Sequence, residues 1–339
     1  MYTVEEIQLD VTSHCNAKCP GCARNESGGK TVSWLNLHHL DLTFWNNFLT
    51  DIKNKFQIKR IRFNGNYGDA IMHPDLIDVI KIFRTHYPKS VIQIPTNGSA
   101  RSLDWWKELA SVLDSSEYYS EVQFAIDGLE DTHSIYRRNT DFNKIIENIK
   151  TFIKAGGMAQ IVTTLFDYNQ HQVDEIVNMA YSLGCTSIFL RPSRYDETEV
   201  KVKEKHFVIY AEKTKKIMEN INWKYNKMYN KPLWFDNDSS VKVNQKIHNL
   251  IAKNKSKCPW IHDALIQMDC WGNIWPCCHI AETVTRNKFP DVDKSITRIN
   301  SLYKQSLDNI MTDSWFTKTL PESLDSKPWD VCQQRCGIV

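Results

Sequence analysis

Residues 7–22 read Ile7-Gln8-Leu9-Asp10-Val11-Thr12-Ser13-His14-Cys15-Asn16-Ala17-Lys18-Cys19-Pro20-Gly21-Cys22, a β-like run that empties into three cysteines spaced C-x3-C-x2-C. The strand expected over Glu6–Val11 is the first of six, the others being Arg60–Asn64, Val91–Pro95, Glu121–Ile126, Gln160–Phe166 and Ser187–Arg191. Amphipathic segments near 42–56, 75–87, 103–113, 142–155 and 171–183 separate them. Leu76, Val79, Ile80 and Phe83 recur mostly at helical steps, as do Ile145, Ile149, Phe152 and Ile153. Asp75 follows His73-Pro74 at a helix start, and Gly156-Gly157 and Gly184 follow helix ends. Strands alternating with helices imply an α/β fold whose parallel strands are joined by right-handed crossovers. The cysteine loop then leaves the C-terminal end of the first strand, where ligands collect in such folds. An incomplete TIM-like barrel and an open doubly wound sheet both satisfy the pattern.

The rest of the chain fits that frame. Its 339 residues suffice for one large α/β domain plus a smaller appendage. Forty-two basic against 40 acidic residues leave a net charge of +2, with no global field to draw nucleic acid or anionic lipid. No apolar run approaches the roughly 20 residues that span a bilayer, and MYTVEEIQLD does not read as a signal peptide. The expectation is a soluble cytoplasmic protein with no membrane partner. Nine of the ten cysteines fall into two groups, 15, 19 and 22 and then 258, 270, 277, 278, 332 and 336. Such grouping in a long chain points to metal or iron–sulfur ligation rather than disulfides. Cys185, alone at the start of a strand, reads as a buried apolar residue. Three thiolates as close as Cys15, Cys19 and Cys22 can hold three corners of a [4Fe–4S] cluster, leaving one iron without a protein ligand. An open position is what a catalytic site needs. Zinc, with His14 or a distant cysteine as fourth ligand, suits this spacing poorly.

At these residues the chain resembles the radical SAM superfamily, whose C-x3-C-x2-C loop follows the first strand of a partial (β/α)6 barrel. The resemblance continues strand by strand. Gly65-Asn66-Tyr67-Gly68-Asp69 looks like the glycine-rich segment whose backbone meets the amino group of S-adenosylmethionine (SAM). Thr96-Asn97-Gly98 follows the third strand, and Asp127-Gly128, His133 and Arg137-Arg138 follow the fourth. By resemblance, Asp127 lies near the SAM ribose and one of Arg137 and Arg138 near its carboxylate. Gly68, Asp69, Thr96, Asn97 and Leu190 complete the cofactor-binding set. Each later motif alone is ordinary turn chemistry; their order, one per strand end, is the signal. Gly21 stands where the family usually has an aromatic, and Asp69 replaces a glutamate.

The second group resembles the SPASM/twitch appendage of the same superfamily. Thirteen residues separate Cys258 from Gly272 and four more precede Cys277, so Met268–Trp275 reads as a hairpin turning at Trp271-Gly272-Asn273. The resemblance implies one auxiliary [4Fe–4S] cluster on Cys258, Cys277, Cys332 and Cys336, fully ligated and suited to electron transfer. Cys270 is a possible substitute for Cys258, and Cys278 points away from Cys277 if the backbone is extended. A closed four-cysteine zinc site is the alternative. The stretch from about 255 holds five of the eleven tryptophans but few periodic apolar segments, so a bound centre would help it hold shape. Residues 201–231, with nine lysines against three glutamates, read as a solvated connecting helix or a basic surface.

The expected division is therefore a barrel over 1–200, a connecting helical segment over 201–254, and a twitch-like β-hairpin/helix iron–sulfur domain over 255–339. The resemblance implies reductive cleavage of SAM to a 5′-deoxyadenosyl radical and hydrogen abstraction from a peptide or small polar substrate. The auxiliary cluster would take the electron in a net oxidation, a dehydrogenation or a crosslink. An external one-electron donor such as flavodoxin or ferredoxin would supply the first site. Asp127, Arg191 and Arg194 are positional candidates for handling the substrate proton. The rival reading is a non-catalytic iron–sulfur or zinc protein that binds or transfers electrons.

Overall fold

Along the first strand, Ile7 and Leu9 are fully buried in the main apolar core, while Glu6, Gln8 and Asp10 take the opposite face. The same alternation fixes the whole sheet. The computed structural model describes residues 2–113, 119–166, 168–192, 258 and 264–336. β1 (Tyr2–Leu9), β2 (Phe56–Arg62), β3 (Val91–Thr96), β4 (Glu121–Ala125), β5 (Met158–Leu165) and β6 (Ser187–Pro192) lie in sequence order, each of the first five pairing in parallel with the one that follows it. An order with no reversal is singly wound, so right-handed crossovers put the helices on one face. Of the two architectures open from sequence, the partial TIM-like barrel is the one found, and its sheet is not closed.

Helices α1 (Leu42–Ile52), α2 (Leu76–His86) and α3 (Leu103–Leu113) cover that face, followed by a short α4 (His133–Tyr136), α5 (Phe142–Lys154) and α6 (Val173–Leu183). Asp41 and Asp141 cap α1 and α5 by accepting Phe44 N–H (2.7 Å) and Lys144 N–H (3.1 Å). Gly184 ends α6 at φ 81°, a left-handed conformation that glycine adopts without a Cβ penalty. Trp45 and Trp106 bury completely because each indole N–H finds a carbonyl, Leu40 O at 3.0 Å and Ala100 O at 3.1 Å. Cys185 joins this core, and burial pushes its thiol up to about 12.

The expected hairpin forms as β7 (Leu265–Met268) and β8 (Ile274–Trp275), with Gly272 at φ 74° in the turn. Its position was not foreseen. β7 pairs in parallel with β1, from Glu6 opposite Leu265 to Leu9 opposite Met268, and extends the barrel sheet by two strands. Beyond it a smaller core gathers Trp275, Ile280, Ile296, Trp315, Leu324 and Trp329 with Cys258, Cys277 and Cys332. The connecting segment expected over 201–254 lies outside the described residues, as do Arg194 and the side chains of Arg191 and Cys336. Among the described residues no helix is long and apolar enough to cross a membrane.

Candidate functional site

Where β1 ends, the chain is stapled before it reaches the cysteines. Thr12 bridges His39, Ser13 N–H donates to His38 O at 3.0 Å, and the Ser13 hydroxyl donates to Asn36 O at 3.0 Å. Cys15, Cys19 and Cys22 follow on a loop packed against Tyr136, Phe166 and Tyr168. Burial raises all three thiols, Cys19 to about 11, and the sulfurs lie near enough to act on one another, Cys19 on Cys15 and Cys22 on Cys19. Neutral thiols pack as small apolar groups, and a metal centre bound here would deprotonate them. Two side-chain N–H groups already aim at sulfur, Asn97 Nδ2 at Cys15 and Arg137 Nη1 at Cys19, each at 3.8 Å. Among the described residues no three His, Cys, Asp or Glu side chains are set to hold a metal ion. Three cysteine thiols with N–H donors beside two of them suit three corners of a four-iron cube.

The loop after β2 lies directly on the cysteine loop. Asp69 N–H donates to His14 O at 2.8 Å, and a Cβ on Gly68 would stand 2.1 Å from Thr12 O. Glycine is needed there for close approach. Asp69 turns its buried carboxylate to the end of β3, accepting from Thr96 Oγ1 (3.0 Å), Asn97 N (2.8 Å), Asn97 Nδ2 (2.6 Å) and Ile71 N (3.3 Å). Burial nevertheless raises its pKa. Asn97 Nδ2 also reaches Asn16 Oδ1 at 2.9 Å, so Gly68, Asp69, Thr96 and Asn97 converge beside Cys15.

At the end of β4, Asp127 is fully buried and both carboxylate oxygens are engaged. Oδ1 accepts Thr164 N–H at 2.6 Å and Oδ2 accepts Arg137 Nε–H at 2.6 Å. Arg137 thereby faces Cys19, whereas Arg138 donates to Ser27 O at 3.3 Å on the outer side. His133 accepts the Asp127 N–H at Nδ1 (3.3 Å), and burial lowers its pKa to about 4, as befits a structural imidazole. On β6, the backbone register sets Phe189 opposite Val162 and Arg191 opposite Thr164. Leu190 packs its side chain on the helix-side core.

Several site residues gave no readable signal. Arg24, 4% exposed, donates to Ser13 O (3.1 Å), Cys15 O (3.3 Å) and Tyr67 O (3.0 Å), tying the cysteine loop to the loop after β2. Asn139 Nδ2 holds Asn16 O at 2.6 Å. The face away from the helices is polar across six strands. Arg62 donates to Asn64 Oδ1 (2.9 Å), Gln93 Oε1 (3.0 Å) and Gln123 Oε1 (2.8 Å). Because guanidinium only donates, those amide oxygens must face it, and the amide nitrogen of Gln123 passes on to Gln160 (2.9 Å), whose own donates to Ser187 (2.6 Å). Alternating polar residues in each strand were the legible sign. A parallel strand buried on both faces reads as continuously apolar.

In the second group, Cys277 caps α7 (Cys278–Thr285) by accepting Ile280 N–H at Sγ, 3.4 Å. Burial raises this thiol, and Cys278, Cys258 and Cys332 push the same way, which brings those four sulfurs into one neighbourhood. Cys336 sits at the end of the helix Asp330–Cys336 that also carries Cys332. Cys270 lies elsewhere. Its thiol is hydrogen-bonded with Ser13 and faces Asp10 and Asp269, so the structure gives no support to its replacing Cys258. Residues that follow or flank the second group reach the surroundings of the first: Glu282 on α7 acts on both Cys22 and Tyr67, the Arg286 guanidinium lies over the Trp34 ring at 5.9 Å, and the Tyr67 and Trp271 rings are 6.1 Å apart.

The sequence profile of the radical SAM superfamily matches residues 9–180. A GTP 3′,8-cyclase of Chlorobaculum tepidum is 21% identical over 202 residues, 58% of this chain and 56% of that protein, so the match spans little more than half of the relative. Streptococcus suis SuiB bound to S-adenosylmethionine superposes with a TM-score of 0.65 at 13% identity, covering 96% of this chain and 68% of that one. The enzyme anSMEcpe with AdoMet and the Cp18Cys peptide gives 0.60 at 14% identity, covering 98% and 86%. SuiB bound to its precursor peptide SuiA gives 0.62 at 14% identity, covering 94% and 66%. At these identities the likeness is one of fold.

Proposed function

The chain belongs to the radical SAM superfamily, and on that premise we propose that it oxidises a peptide or small polar substrate with the help of an auxiliary iron–sulfur cluster. The observation that carries the first half is the packing of Cys15, Cys19 and Cys22 beneath the Gly68–Asp69–Asn97 corner, with N–H donors aimed at two of the sulfurs. When bound, the [4Fe–4S] cluster and SAM supply one-electron cleavage to a 5′-deoxyadenosyl radical that takes a hydrogen atom from substrate. The protein's part is orientation and exclusion of water. Gly68 lets its loop approach the cysteine loop, Asp69 locks Thr96 and Asn97, and the Asp127–Arg137 pair closes the far side. Of the two arginines, Arg137 is the one we assign to the cofactor. With both oxygens of Asp127 occupied, Arg191 remains the positional candidate on the substrate wall.

The auxiliary half rests on Cys258, Cys277 and Cys332 sharing one small core, with Cys336 on the same helix as Cys332. α7, eight residues or about 12 Å long, runs from Cys277 toward Cys22, so one helix links the two groups. This favours electron transfer from a substrate radical over a purely structural role. The polar face of the barrel, lined by Arg62, Gln93, Gln123 and Gln160, is in keeping with a polar substrate. A one-electron donor of the flavodoxin or ferredoxin kind completes the scheme. We retain the division at 1–200, 201–254 and 255–339, with β7 and β8 of the last part built into the barrel sheet.

Anaerobic reconstitution with iron and sulfide, then dithionite and SAM, tests this. About eight irons per chain and release of 5′-deoxyadenosine are expected. Alanine at Cys15, Cys19 and Cys22 should abolish cleavage and leave about four irons. Stoichiometric zinc, or intact clusters without SAM cleavage, would favour the binding-protein reading instead.

A further inference from the structure

Arg137 and Asp127 form an ion pair whose two ends are built differently. Asp127 is 0% exposed and pinned to the C-terminal end of β5 through Thr164 N–H, while Arg137, with a side chain 14% exposed, extends from its Nε–H···Oδ2 bond so that Nη1 lies 3.8 Å from Cys19 Sγ. A fixed cation thus stands against one cluster thiolate with a fixed anion behind it. Cys15 receives a neutral amide donor, Asn97 Nδ2, at the same distance. The reduced cluster carries one more negative charge than the oxidised one, and charges in a water-poor site interact strongly. Potentials of such clusters follow net charge and hydrogen bonds to sulfur.

We propose that the Asp127–Arg137 pair sets the reduction potential of the cluster at Cys15, Cys19 and Cys22, the guanidinium raising it and the carboxylate holding that rise in check. The inference rests on the proposed [4Fe–4S] assignment. Asp127 is therefore a positioning residue: it aims the arginine at Cys19 and sets how much of its charge the sulfur feels. The two residues then act with opposite sign, which a merely structural pair would not do, because breaking a structural pair from either side perturbs the site in the same direction.

EPR-monitored potentiometric titration of the reconstituted full chain reads this directly. The first-site signal is the one that changes on adding SAM and disappears in Cys15→Ala. Arg137→Gln should make its reduction at least about tenfold less favourable, about 59 mV more negative for a one-electron couple. Asp127→Asn, nearly isosteric, should shift it the other way, and Arg137→Lys should recover most of the loss because the charge remains. The second-site potential should stay put in all three. Equal-sign shifts for Arg137→Gln and Asp127→Asn, or no shift in either, would overturn the inference while leaving the cluster assignment intact. Absence of a SAM-sensitive signal in the unaltered protein would instead overturn the assignment on which it rests.

Discussion

Replacing Gly68 with alanine puts a methyl group where the cysteine loop already is. The new Cβ would stand 2.1 Å from Thr12 O, 2.8 Å from Thr12 C and 3.1 Å from His14 O. Carbon and carbonyl oxygen rest at about 3.3 Å or more, so one loop must retreat by about 1 Å. Thr12 cannot yield easily, because its segment is tied to residues 36–39 by a backbone bridge and the Ser13 hydrogen bonds. The 65–69 loop must move instead, stretching Asp69 N–H···O=C His14 and the Arg24 bond to Tyr67 O. Overpacking costs about 1–3 kcal/mol and one net backbone hydrogen bond about 1 kcal/mol, together about 2–4 kcal/mol. If half of that falls on the cofactor corner, SAM affinity drops about 5- to 30-fold, since 1.4 kcal/mol is a factor of ten. Chemical denaturation and equilibrium dialysis of SAM against reconstituted protein measure the two quantities. Unchanged affinity together with stability within about 0.5 kcal/mol of the parent would refute the close-approach argument.

Arg24→Gln should loosen the cysteine loop, since three carbonyls lose a charged donor; cluster absorbance at the first site should decay faster in air, with unfolding easier by about 2–4 kcal/mol. Cys277→Ala should lower iron per chain by about four, whereas Cys270→Ala should leave it unchanged; a loss in the second case would return Cys270 to the ligand set. Burial raises the carboxyl of Asp10 from 3.8 to about 6, partly opposed by Asn66 and Gln267, so the folded state holds its proton more tightly than the unfolded one. Stability should therefore fall as pH climbs from about 4 to 6 and level off above, by about 3 kcal/mol relative to Asp10→Asn at 1.36 kcal/mol per pH unit. Denaturation midpoints of both proteins across pH 4–7 check it, and a difference that does not change with pH would count against it.

What was legible was whatever depends on local order along the chain. The six strands, the five helices between them and the three cysteines at the end of β1 follow from periodicity and spacing. Boundaries moved: the first strand, expected over Glu6–Val11, runs Tyr2–Leu9, and the helix expected to 56 stops at Ile52 because Phe56 opens β2. The choice between a barrel and a doubly wound sheet was not local. Both have the same strands and helices, and only the order of pairing separates them. Arg24 was invisible for a similar reason, since its partners at 13, 15 and 67 meet it only after folding.

One signal was underused: consecutive residues of a strand alternate between its two faces. The polar face was missed through the same neglect of period: Glu6, Gln8 and Asp10, Arg60 and Arg62, Glu121 and Gln123 each repeat every second residue. The placement of β7 is different in kind. Its short run Leu265–Met268 carries no mark of its partner, yet its parallel pairing with β1 fixes the geometry of the proposed chemistry. Two adjacent strands of one sheet lead the chain to the two cysteine groups, β1 to Cys15 and the β7–β8 hairpin to Cys277. Their separation is therefore set by sheet spacing and one short helix, and not by a flexible linker. Lengthening the Trp275–Cys277 connection by two glycines should consequently slow the proposed electron transfer from the substrate radical to the second cluster while leaving both iron contents intact. An unchanged rate would mean that the electron takes another route.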